Sequence, residues 1–243
     1  MDTHAFFKII LLRFVTGLFS GFAASVLADA NNIDKVYHPY VQQDEIEIEY
    51  RLIRQDDNKD ALDSLFKPRL GVAYSPTDRL KLEFYIIGED THNESFTINA
   101  FEWETKIQLT EQGEYWADWG LLFELDKKRN DELWEFASSV LIEKEWGRWV
   151  GTANVSLAYE WGNDINNELE GALAMQGRYR FSRFLEPAIE FYSGQDTLGI
   201  GPVLLGQLRL GQMKKLRWEM GVIVGLDDKT PDRTFRALLE FEF

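Results

Sequence analysis

The chain has 243 residues, with 26 Lys and Arg against 41 Asp and Glu, for a formal net charge of −15. That balance excludes a nucleic-acid binder, whose partner needs a basic footprint, and argues against any polyanionic ligand. Cysteine is absent, so disulfides and thiolate chemistry are excluded too, and the length suits one domain or one barrel.

Residues 1–30 carry Lys8 and Arg13, an apolar run from Phe14 to Leu27, and small residues ending Ala28-Asp29-Ala30. This is the order of a cleaved secretory signal peptide, cut after Ala28 or Ala30. The apolar run is shorter than the about 20 residues a bilayer-spanning helix needs. No second long apolar run follows, which excludes a bundle of transmembrane helices. Residues 31–43 read as a short periplasmic N-terminal segment ahead of a barrel over 44–243.

From residue 44 the chain alternates apolar and polar with period 2, in about 12 segments of about ten residues. Ile46, Ile48, Tyr50 and Leu52 share one face of the first segment, while Glu47, Glu49 and Arg51 share the other. Leu70, Val72 and Tyr74 follow, then Leu80, Leu82, Phe84 and Ile86, then Phe101, Trp103 and Ile107 opposite Glu102, Glu104 and Lys106. A fifth strand is expected from Tyr115 through Ala117 and Trp119 to Leu125, and a sixth from Trp134 to Trp146. Trp149 to Trp161 and Leu169 to Phe181 give the seventh and eighth. Ile189 and Phe191 give the ninth, which Pro187 weakens because proline cannot donate to a ladder. Segments around Ile200 to Leu210, Leu216 to Leu226 and 234–243 complete the set. Short turns such as Ser75 to Asp78 and Trp146 to Trp149 are expected to alternate with longer polar loops.

A ring of 12 strands at about 4.8 Å spacing and about 40° tilt has a backbone diameter of roughly 24 Å, too wide for a dry apolar filling. The apolar face therefore points outward to lipid. Aromatics near strand ends, among them Trp103, Trp134, Trp146, Trp149, Trp161 and Trp218, suit girdles at the two membrane interfaces. The expected fold is all-β: a closed antiparallel up-and-down transmembrane β-barrel with both termini periplasmic, monomeric by default.

The tail Leu239-Glu240-Phe241-Glu242-Phe243 resembles the carboxy-terminal assembly signal of Gram-negative outer-membrane β-barrels. The stretch from Gly201-Pro202-Val203 through Arg217-Trp218-Glu219 to Pro231-Asp232 resembles uncharacterised proteobacterial barrels of porin-like size. The resemblance implies a place in the outer membrane, contact with its lipid and lipopolysaccharide, and recognition of the Phe243 strand by the barrel assembly machinery. It implies no activity.

On the polar parity, the lumen-lining candidates are Glu47, Glu49, Glu83, Glu102, Glu104, Lys106, Asp118, Glu143, Glu145, Arg178, Arg180, Arg217, Glu219 and Arg236. Glu124, Glu135, Glu160, Glu170 and Glu190 share that parity. The acidic surplus points to a passive pore or transporter for small solutes with a mild cation preference. Small barrels that carry acidic sugars need basic ladders, and this inward set leans the other way. The alternative is a closed structural or surface-interaction barrel that meets lipopolysaccharide, a cation or a protein at its outer loops. Candidates there are Lys127, Lys128 and Arg129 for lipid phosphates, and Asp227, Asp228 and Asp232 for a shared cation.

An enzyme is not expected. His4 lies in the signal, His38 precedes the first strand in a surface or tether position, and His92 sits in a hydrated acidic loop. None has the partners of a proton relay. Glu102 with Glu104, or Glu143 with Glu145, follows from period-2 patterning before it suggests glycosidase chemistry. No zinc, phosphate or dinucleotide motif is present, so neither metal nor cofactor is expected.

Overall fold

A computed structural model describes residues 33–57, 65–91, 95–129, 131–163, 165–211 and 214–243. The signal peptide over 1–30, His4 and His92 lie outside the described residues. Twelve strands follow in chain order: β1 (Ile46–Asp56), β2 (Leu65–Tyr74), β3 (Leu80–Glu89), β4 (Thr97–Gln108), β5 (Asp118–Lys128) and β6 (Leu133–Trp146). Then come β7 (Trp149–Gly162), β8 (Glu168–Tyr179), β9 (Glu186–Ser193), β10 (Leu198–Arg209), β11 (Lys215–Gly225) and β12 (Arg233–Glu242). Each pairs antiparallel with its sequence neighbours, and β1 pairs with β12 to close the barrel. At the seam the Ile46 N–H donates to the Phe243 carbonyl at 3.1 Å and the Phe243 N–H donates back at 2.9 Å. The terminal phenylalanine thus finishes the ladder and leaves no free edge there.

Period 2 sets the faces. In β1, Glu47, Glu49 and Arg51 are buried inside while Ile46, Ile48 and Tyr50 are exposed outside. Aromatics gather toward both rims of the outer face. Trp134 stacks on Trp161 at 6.4 Å at one rim, and Trp149 meets Tyr179 at 4.9 Å at the other. Such rings suit the two interfaces of a bilayer. Below, the rim that carries Glu45 and Phe243 is called the terminal rim, and the opposite one the distal rim.

Three local features differ from the sequence reading. The fifth strand begins at Asp118, because Leu109 to Ala117 form a broad connection with Trp116 edge-on to Trp119. That connection is the longest on the terminal rim, where the other turns are shorter. Lys127 and Lys128 close β5 and are not loop residues. Pro202 interrupts the β10–β11 ladder, and beside it Gly201 lets the Val222 carbonyl come closer than any side chain would permit.

The largest departure is residues 33–43. They do not trail outside the wall: from Glu45 the chain turns into the lumen and climbs toward the distal half. There Ile33 and Val36 are buried against Ala188, Tyr192, Val203, Leu205 and Ile223.

Candidate functional site: the lumen and its N-terminal strap

Residues 33–43 have no regular repeat, and Pro39 bars a ladder, so the wall's side chains satisfy the backbone. Asn154 of β7 clamps Tyr37 from both sides: its Oδ1 accepts the Tyr37 N–H at 2.7 Å and its Nδ2 donates to the Tyr37 carbonyl at 2.8 Å. The Val41 N–H donates to Gln108 Oε1 of β4 at 2.7 Å. The Asp34 carbonyl accepts from Tyr192 Oη of β9 at 2.9 Å and from the Arg236 guanidinium of β12.

The strap's side chains reach further strands. Asp34 pairs with Arg51 at 2.5 Å and with Arg69 at 3.2 Å; Lys35 pairs with Glu49 at 2.7 Å. The hydroxyls of Tyr37 and Tyr40 donate to Glu104 at 2.6 Å and to Asp118 at 2.7 Å. His38 Nδ1 lies 2.5 Å from Glu143 Oε2, so the tether role read for His38 has a partner. These contacts touch eight strands and span the lumen.

Protonation within the strap follows from its neighbours. Burial works to raise the Asp34 carboxyl, but Arg51 and Arg69 hold it well below the usual range. Burial and then Arg51 work to lower the Lys35 ammonium, and Glu49, Glu83 and Glu104 more than offset them. Burial, reinforced by Glu104, raises the Tyr37 phenol. At neutral pH the strap therefore presents an anion, a cation and hydroxyl donors to complementary groups.

The inward residues divide into two regions. In the first, charges are paired. Arg51 bonds Glu49 and Tyr85; Arg236 bonds Glu190 at 2.8 Å and Glu219 at 3.1 Å; Lys81 meets Glu47 and Glu83. Arg217 pairs with Glu240 and Glu242, Arg178 with Glu186, and Arg180 with Glu145. Lys106 stands opposite Lys81 in the β3–β4 register. The second region lies on β4 to β8 toward the distal rim, where like charges face each other in register. Glu102 is opposite Asp126, Asp126 opposite Glu135, Glu135 opposite Glu160, and Glu160 opposite Glu168. Such pairs repel unless something offsets them.

A cavity of about 570 Å³ lies at the terminal rim. Strap residues Lys35 to His38 and Tyr40 to Gln42 form part of its wall, with Lys106, Gln112, Glu143, Arg178, Arg217 and Glu219 around it. Its lining includes Glu104 but not Glu102, Glu135 or Glu170, so the strap stands between this cavity and the acidic row.

The outer-loop candidates have local work. Lys127 Nζ donates to the Asp131 carbonyl at 2.6 Å and lies 5.1 Å over the Trp134 ring. The Arg129 N–H donates to the Asn99 carbonyl at 2.7 Å. Lys128 is on the inward parity of β5. Asp227 accepts from the backbone N–H groups of Lys229 and Thr230 and from the Thr230 hydroxyl, which fixes the turn; Asp228 and Asp232 are engaged as well. Tyr85 and Tyr192, which the sequence reading did not single out, fall on the inward parity of β3 and β9, and that parity is the signal by which they could have been found. Nothing in the sequence pattern marked Asp34, Lys35, Tyr37 or Tyr40.

A closed 12-strand wall, apolar outside and charged within, is the build of porin-like outer-membrane β-barrels, and this chain has that fold. No family model matches the chain, and no curated protein matches it. Among solved structures it is similar to an outer-membrane channel from Pseudomonas putida F1, with TM-score 0.53, 15% identity, and coverage of 88% of this chain and 98% of that one. It is also similar to the NanC porin, with TM-score 0.53, 10% identity, and coverage of 81% and 98%. The KdgM porin, in complex with disordered oligogalacturonate, gives TM-score 0.52, 12% identity, and coverage of 81% and 98%. At such identities the likeness is one of fold.

Proposed function

We propose that the protein is an outer-membrane channel for small solutes that prefers cations, and that residues 33–43 set its cross-section. The observation that carries this reading is the distal acidic row from Glu102 to Glu168, a wall of like charge inside a low-dielectric shell. Such a wall concentrates cations and repels anions. The galacturonate oligomer bound by the KdgM porin is a polyanion, and this lumen has the opposite electrostatic sense.

Reversal potential in a KCl gradient across planar bilayers tests the reading. Cation selectivity is expected, with a shift toward anions in Glu102→Lys/Glu135→Lys. Anion selectivity in the unmodified protein would overturn it.

A second reading, a barrel closed by its strap and active only at its surface, is favoured by the density of strap contacts on eight strands. A heat-modifiable barrel that stays silent in bilayers would select it.

A further inference from the structure

We propose that the outer wall at the terminal rim carries a binding site for the headgroup of an anionic phospholipid, built on Lys144 and Arg148. The site is independent of what crosses the lumen, and it rests on the orientation that puts the short-turned rim in the periplasmic, phospholipid leaflet. Lys144 lies on the outward parity of β6 between Ile142 and Trp146, whereas Glu143 and Glu145 point inward. Those two carboxylates are already held, Glu143 by His38 and Thr152, and Glu145 by Arg180. Among the described residues, the side chains of Lys144 and Arg148 have neither hydrogen bond nor ion pair. The outward parity of β6, β7 and β8 carries no Asp or Glu to supply one. A cation on a lipid-facing wall is costly without an anion, and its long side chain reaches toward the headgroups to find one.

The backbone keeps both cations near the depth of lipid phosphates. The β6–β7 connection has only two residues, Gly147 and Arg148, and Gly147 takes φ 64°, as the first position of a tight hairpin turn favours. The Arg148 carbonyl accepts the Arg180 N–H at 2.8 Å, which fixes the turn against β8. Arg148 is exposed and stays beside the exposed Trp146 and Trp149, at the level where interfacial aromatics sit in a bilayer. Lys144 is one two-residue step of about 7 Å deeper than Trp146, within reach of a phosphate at that level. In register across β7 and β8 it faces Gly151 and then Gly177, so no side chain there shields its ammonium. Trp146 leans over Gly151, and Trp149 meets Tyr179 at 4.9 Å, which borders the space with rings on its rim side. Two unpaired cations on one outward sector, in a chain of net charge −15, match a phosphodiester that has no ammonium of its own.

Native mass spectrometry of the mature protein, released from detergent that holds equal amounts of phosphatidylglycerol and phosphatidylcholine, tests the site. Preferential retention of phosphatidylglycerol is expected, falling about fivefold in Lys144→Gln and again when Arg148→Gln is added. Lys144→Arg, which keeps the charge, should retain the preference, and every variant should remain a heat-modifiable barrel. Lys127→Gln, on the outer face at the distal rim, should leave the preference unchanged. No preference in the unmodified protein, or an equal loss in Lys127→Gln, would overturn the site. Displacement of phosphatidylglycerol by an equal amount of lipopolysaccharide would give the two cations to the other leaflet and overturn the phospholipid assignment. Cation-selective conductance with equal retention of both phospholipids sinks this proposal alone, and selective retention by a silent barrel sinks the channel reading and leaves the site.

Discussion

Pro39 rests on Gly120: its Cβ lies 3.0 Å from the point where a side chain on Gly120 would begin. Gly120 occupies the inward parity of β5 between Asp118 and Leu122, where any larger residue would enter the space the strap occupies. The absence of a side chain at one wall position is therefore part of how residues 33–43 fit the lumen.

Gly120→Val should expel the strap. Its added atoms meet Pro39 Cα at 3.1 Å and the Ile107 carbonyl at 3.2 Å, and the second of these belongs to the wall and does not yield. Overpacking of this kind costs about 1–3 kcal/mol, and 1.4 kcal/mol corresponds to about a tenfold rise in the undocked population. Hydrogen exchange at the amides of Tyr37 and Val41 should quicken accordingly while the wall amides stay protected.

Asp34→Asn should loosen the same segment from its other end. Arg51 is fully buried and loses one of its carboxylates, for a cost of about 3 kcal/mol if the remaining contacts do not rearrange. Thermal unfolding in detergent should show the loss, and Arg51→Met combined with Asp34→Asn should recover part of it, because the under-paired guanidinium is gone and Glu49 keeps Lys35 at 2.7 Å.

Strap docking should be flat with pH through Asp34 and Lys35 between about pH 5 and 9. The Asp34 carboxyl is lowered in the folded state, so its contribution is present above the unfolded value of about 3.9 and fades only as pH falls toward the folded one. The Lys35 ammonium is raised, so its contribution is present below about 10.4 and fades as pH rises through the folded value. Protection factors of the Tyr37 and Val41 amides should therefore show no change from Asp34→Asn or Lys35→Gln that depends on pH within that window.

The outward parity of β7 makes a separate claim on stability. Val155 is exposed on the outer face near the strand's middle, so Val155→Arg should cost about 2–4 kcal/mol in lipid vesicles. Ala172→Arg on the inward parity of β8 should cost little, since it joins an acidic lumen. Urea unfolding from vesicles compares the two.

Much of the wall was legible because period 2 is a property of single strands: Glu47, Glu49 and Arg51 on one face need no partner to be recognised. Even β9, weakened by Pro187, forms with both neighbours. What could not be read depends on pairs distant in sequence. Tyr37 is anchored by Asn154, and Asp34 by Arg51 and Tyr192, so an aperiodic segment of eleven residues gave no sign that it lay inside. The inward acids were visible one by one, but their alignment into a row from Glu102 to Glu168 exists only once register is set. Strand character misled at Tyr115 to Ala117, where Tyr115 and Ala117 continue the apolar alternation without joining a strand.

The most direct test uses the contact between Pro39 and Gly120, since the chain has no cysteine of its own to interfere. In Pro39→Cys/Gly120→Cys the two Cβ positions lie 3.0 Å apart, and a small outward shift reaches the about 3.8 Å usual for a disulfide. Single-channel conductance is recorded in planar bilayers before and after reduction with dithiothreitol. A channel whose cross-section the strap sets predicts small cation-selective steps while the disulfide holds and larger ones once it is reduced. Equal conductance in the oxidised and reduced states would show that solutes pass without moving residues 33–43, and would contradict the strap's role.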